Sequence, residues 1–152
     1  MDQIVMKEIK ALTWKEPFAT LMLHDKIETR SWHTNYRGWV LICAGKKSYS
    51  REELFNICGE AQYNRICNMV LPTNPDFYGN AIAVGKLVAC RLMTPEDEAL
   101  CFVKYRLGLY CHIYENVRRI EMFPFKGSQK WKNLTDIETA SAIFRYLNIF
   151  RF

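Results

Sequence analysis

Asn80-Ala81-Ile82-Ala83-Val84-Gly85-Lys86-Leu87-Val88-Ala89-Cys90-Arg91-Leu92-Met93 is the strongest strand signal in the chain. Apolar and small residues dominate it, and turn-forming residues bound it at Gly79 and at Thr94-Pro95, the pattern of a buried strand. Gly85 in its middle predicts a bulge or a close approach of another segment. Upstream, Leu71-Pro72-Thr73-Asn74-Pro75 with Gly79 forms the clearest loop. Before that loop, Ser50-Arg51-Glu52-Glu53 matches a capping box, which predicts a helix from Leu54 that Gly59 interrupts and that resumes to about Met69.

A second apolar run, Gly38-Trp39-Val40-Leu41-Ile42-Cys43-Ala44, lies between Gly38 and Gly45 and predicts another buried strand. Lys7–Thr13 alternates as a first strand, and Lys15-Glu16-Pro17 opens a helix through Leu23, with Pro17 in the first turn where its missing N–H is not needed. Downstream, Thr94-Pro95-Glu96-Asp97 starts a short helix. Leu109–Tyr114 and Val117–Phe123 read as two strands meeting at Glu115-Asn116, and Lys126–Lys132 as a polar loop. Ile137–Leu147 has helical spacing, and the apolar tail Ile149–Phe152 is expected to dock on the body. The order β-α-β-α-β-α-β-β predicts an α+β fold, either a mixed sheet or a small barrel flanked by helices.

The chain has 152 residues, 49% of them hydrophobic, enough for one domain over 1–152 with a sizeable core. No stretch approaches the ~20 apolar residues of a membrane helix, and Met1–Lys15 carries charges where a signal peptide would be apolar. A cytoplasmic protein without a membrane partner is expected. The six cysteines lie mostly in apolar runs, which favours buried reduced thiols over disulfides. The three histidines are scattered and no CxxC, HxxxH or HExxH spacing occurs, so neither metal nor other cofactor is expected. The net charge of +5 is uneven: residues 1–50 carry 8 basic against 5 acidic side chains, 115–132 carry 5 against 2, and 51–114 carry 6 against 7. Two basic segments form one electropositive face only if the fold joins them.

Asp25–Gly38 is the segment densest in functional groups. If Glu28–Ser31 is extended, Glu28 and Arg30 share one face and Thr29 and Ser31 the other, so Glu28 and Arg30 form an ion pair. Trp32 and Tyr36 offer flat faces for base stacking, and Arg30 and Arg37 planar forks for phosphate. The plainer alternative is a salt-bridged lip with Trp32 in the core.

Thr13-Trp14-Lys15-Glu16-Pro17-Phe18-Ala19, then Lys26-Ile27-Glu28-Thr29-Arg30-Ser31-Trp32, then Tyr36-Arg37-Gly38 running into Val40–Ala44, resembles the ASCH domain family: a "QPxA" helix, a "GxKxxExR" loop and an "RG" pair before an apolar strand. Tyr114–Ile120, Phe123–Gly127 and Trp131 resemble its closing strand and loop, so the similarity spans about residues 9–134. The chain differs from the pattern in having His24-Asp25 before Lys26, and Glu28 two residues before Arg30 where amidohydrolase members have threonine. The resemblance implies a PUA-like fold, a small mixed β-barrel flanked by helices. It also implies a cleft in which the early loop and the Lys126–Lys132 loop meet, and a partner that is RNA, single-stranded, or a nucleotide. The residues expected to bind are Trp14, Arg30, Ser31, Trp32, Tyr36, Arg37, Lys46, Lys126, Gln129 and Lys130, with Lys47 beside them. Two other functions stay open. One is a hydrolase on a modified nucleoside or RNA, with Glu28 as general base, Lys26 or Arg30 stabilising negative charge and Thr29 as nucleophile. The other is a regulatory adaptor using the apolar C-terminal tail.

Overall fold

The structure, a computed structural model, describes residues 9–134. The apolar run at 38–44 is continuous because both of its faces are covered. It belongs to the strand Gly38–Ser48, here β3 after β1 (Lys10–Glu16) and β2 (Glu28–Arg30). Val40, Ile42 and Ala44 enter a core shared with the helices, whereas Leu41 and Cys43 join a second cluster containing Ile9, Ala11, Ala81, Ile120 and Leu134.

β1 runs parallel to β3 on one side, with Leu12 opposite Ile42. On the other side lies antiparallel β4 (Asn80–Leu92), and β5 (Tyr110–Pro124) follows it, also antiparallel. β2 adds to β5 and the two-residue β6 (Lys132–Asn133) to β1, giving one six-stranded mixed sheet in the order β2-β5-β4-β3-β1-β6. The helices are α1 (Phe18–Met22), α2 (Arg51–Cys58), α3 (Glu60–Val70) and α4 (Glu98–Cys101). The capping box at α2 is formed: Glu53 N–H donates to Ser50 Oγ at 3.1 Å and Ser50 N–H to Glu53 Oε1 at 3.0 Å. Gly59, at φ +81°, separates α2 from α3, a conformation that side chains rarely adopt.

Several expectations change. Lys15 and Glu16 end β1 instead of opening α1, because the strand keeps pairing with β3 as far as Ser48. The two strands expected at 109–114 and 117–123 are one, β5; Asn116 takes φ 53° and the register slips between Lys86↔Glu115 and Val84↔Arg118, so Glu115-Asn116 is a bulge and not a reversal. β2 and β6 were not legible as elements. Lys7, Ile137–Leu147 and the tail at 149–152 lie outside the described residues.

Three register irregularities along β4 and β5 bend the longest strand pair. At Gly85 a Cβ would lie 2.9 Å from Val117 Cγ2, so the close approach expected there is present. The bending brings β5 and β2 round to β1: the rings of Tyr114 and Trp14 meet edge to face at 5.9 Å, and Arg30 Nη2 donates to the Thr13 carbonyl at 3.1 Å. Among the described residues no backbone ladder joins β2 to β1, so the sheet is open, with a side-chain-bridged seam. All six cysteines are free thiols, and no helix among the described residues is long and apolar enough to cross a membrane.

Candidate functional site: a basic cleft at the seam of the sheet

β2 pairs with β5 along one edge only, so its other edge faces the seam. Alternation along this strand puts Glu28 and Arg30 on one face, and Glu28 Oε2 lies 3.0 Å from Arg30 Nη2 as an ion pair. Its other oxygen accepts from Lys26 Nζ at 2.8 Å and from the Thr29 N–H at 3.0 Å. One carboxylate thus pairs with two cations, leaving the cluster net positive, and satisfies an edge amide.

Burial alone would push the Glu28 pKa up, but the charges of Lys26 and Arg30, with the hydrogen bonds from Lys26 and Thr29, outweigh it and hold the carboxyl below its ordinary value. Glu28 is therefore ionised at neutral pH. Lys26 is only 2% exposed and Glu28 4%. The Lys26 ammonium also donates to the Ile27 carbonyl at 3.1 Å and sits 4.8 Å from the Phe18 ring centre. It stands behind the carboxylate as a counter-ion. Arg30 reaches across the seam to Thr13, extends Nη1 to the Gln129 carbonyl at 3.5 Å, and lies over the Trp14 ring at 5.1 Å.

A cleft of about 290 Å³ opens along this seam. Its lining combines residues of β1, β2 and Gln129 with the apolar side chains Phe18, Ile57, Val103 and Leu109. Its charged lining is Lys15, Arg30, Lys104 and Arg106 against Glu28 alone. Lys104 and Arg106 are placed by the segment after α4: Lys104 N–H donates to the Ile57 carbonyl at 3.1 Å and Arg106 Nη2 to the Asn56 carbonyl at 3.2 Å. Tyr49 also lines the cleft, its ring 5.4 Å from Phe18 and 4.5 Å from the Lys15 ammonium, and burial raises its phenol pKa.

Of the residues expected from sequence, Trp14, Glu28, Thr29, Arg30 and Gln129 line this cleft, and Lys46 lies with Lys47 in an adjoining depression. Lys26 is in the cluster but sealed from the cleft, so a charge-stabilising contact from its ammonium to a ligand is not available in this arrangement. Trp32 and Tyr36 do not offer free stacking faces to the cleft. Trp32 packs edge-on against His112 and Trp131 at 4.8 and 5.6 Å, and His112 Nε2 donates to its carbonyl at 2.8 Å. Tyr36 packs on Trp131 at 5.3 Å and donates its hydroxyl to the Trp39 carbonyl at 2.7 Å. Arg37 fastens the same lip through the Thr34 and Tyr36 carbonyls at 3.0 and 2.8 Å.

Ser31, Lys126 and Lys130 are exposed and do not line the cleft. The early loop and the late loop do meet, but through Gln129 and through Trp131, whose Nε1 donates to Thr34 Oγ1 at 3.1 Å. Sequence reasoning missed Lys15, Tyr49, Lys104 and Arg106 as lining residues. Two of these come from the stretch that is balanced in charge.

No protein-family model matches the chain, and no curated protein matches it either. The family resemblance accordingly rests on the residues of the two motifs.

Proposed function

We propose that the chain binds a nucleotide or single-stranded RNA in the seam cleft, as a PUA-like domain. The observation that carries this reading is the charge balance of the lining: four cations face one carboxylate, and Lys26 already compensates that carboxylate from behind. Such a site favours an anion. The apolar lining residues Phe18, Ile57, Val103 and Leu109 suit the flat, weakly hydrated body of a base, while Lys15, Lys104 and Arg106 suit its phosphate. The aromatic faces of Trp14 and Tyr49 already carry Arg30 and Lys15, so shape and charge weigh more here than open stacking.

The hydrolase reading is less well supported. A general base works best with a pKa near the working pH, and Glu28 is held below the ordinary carboxylate range by two cations. Its chemistry suits positioning Arg30.

The test is fluorescence anisotropy with a labelled single-stranded RNA and with nucleoside monophosphates as competitors, on the full chain and on Lys104→Ala/Arg106→Ala. Binding should be salt-sensitive, and the double variant should weaken it about tenfold or more, as expected for loss of charge-assisted hydrogen bonds. Absence of salt-sensitive binding to both kinds of ligand, or an unaffected double variant, would overturn the reading.

A further inference from the structure

The cleft does not end at Lys15. A second depression of about 310 Å³ adjoins it, and the two share Thr13, Lys15 and Gln129 as a common wall. The rest of the second depression is Gly45, Lys46 and Lys47, so its charged lining is wholly cationic.

Two features fix this shape. Lys46 lays its aliphatic stem beside Gly79, at ordinary contact distance: a Cβ built there would stand 3.6 Å from Lys46 Cγ. Gly79 is in turn held to the end of β3 by its N–H, which donates to the Ala44 carbonyl at 3.0 Å. The shared wall is pinned by the Thr13 N–H, which donates to the Ser128 carbonyl at 2.9 Å and keeps the segment carrying Gln129 against β1.

We infer that the ligand is an oligonucleotide, not a free nucleotide, and that the depression beside the cleft is a second phosphate subsite built by Lys46 and Lys47 with Lys15 between the two. The inference rests on the reading of the cleft as a nucleotide site. A single nucleotide fills one concavity and leaves a purely cationic one unpaired at its side. A strand with successive phosphates neutralises both, and Lys15 stands where the backbone passes from one to the other. No apolar side chain of the Phe, Ile, Val or Leu kind is among the residues lining the second depression, which fits a phosphate without a base beside it.

The experiment compares a mononucleotide with a six-nucleotide single strand, as RNA and as DNA, against the full chain and Lys46→Ala/Lys47→Ala. A control, Lys86→Ala/Arg119→Ala, removes the same charge from exposed positions on β4 and β5. Wild-type protein should prefer the six-mer. The Lys46/Lys47 variant should reduce the ratio of six-mer to mononucleotide affinity about tenfold or more, and lower the slope of log affinity against log salt by about 0.7, the contribution of the one phosphate left without its lysines. The control should leave the ratio unchanged. If the six-mer binds no tighter than the mononucleotide, or the ratio survives in the Lys46/Lys47 variant, or the control lowers it equally, the second subsite is wrong while the cleft reading stands. If neither ligand binds, both fall.

Discussion

Two buried glutamates in this chain have opposite surroundings. Glu28 lies between Lys26 and Arg30 and is shifted down; Glu16 has no cation in hydrogen-bond contact among the described residues, and burial, the largest influence, raises its pKa despite the Thr20 N–H and hydroxyl at 2.7 and 2.6 Å. Their linkage to pH therefore has opposite signs. Glu28 contributes stability above its unfolded pKa that is lost as pH falls through the lower folded value. Glu16 contributes stability only below its unfolded pKa, lost as pH rises through the higher folded value. Glu16→Gln keeps a carbonyl acceptor for the Thr20 N–H and removes a buried charge, so it should be more stable than wild type at neutral pH, with the gap closing as pH falls through the raised folded pKa and closed by about pH 4.5; urea titrations across pH measure this. Glu28→Gln leaves the sealed Lys26 without its counter-charge and should cost about 3–5 kcal/mol, while Lys26→Met leaves Glu28 paired to Arg30 and should cost less in the same titrations. The Glu28–Arg30 pair was legible because strand alternation alone puts the two side chains on one face. For Trp32 the sequence left stacking face and core both open, and for Tyr36 a polar neighbourhood reads as exposure; the partner that packs on both, Trp131, is about a hundred residues away in sequence.

At the scale of elements, β3, β4 and α2 could be read directly, since apolar runs and a capping box are local signals. β2, with three residues, carries no period, and the bulge at Asn116 imitates a turn because Asn tolerates positive φ in both settings. Lys104 and Arg106 escaped notice for a related reason: their segment is positioned by carbonyls of α2, not by any pattern of its own. The crossing of the late loop over β1 depends on Gly127. A methyl group there would overlap the Thr13 hydroxyl, so Gly127→Ala should lift the loop, destabilise the protein by about 1–3 kcal/mol and weaken ligand binding. Adding Thr13→Ala should recover part of both losses, read by thermal melting and anisotropy.

At the scale of the whole molecule, the bulges in β4 and β5 curl the sheet until β2 comes beside β1, and that curl positions the candidate site. Segment-by-segment charge counting could not foresee the result, because the cleft draws its cations from both the basic and the balanced stretches of the chain. The seam also has a consequence for exchange with solvent. β2 is short, paired on one edge, and tied to β1 through side chains alone. Such an element opens at lower free energy than the strands at the centre of the sheet. Its amides at Thr29 and Arg30 should take up deuterium well before those of Leu41 and Ile42, and an oligonucleotide in the cleft should slow that uptake selectively. Release of ligand would then be timed by the breathing of one edge, a clock set by three residues.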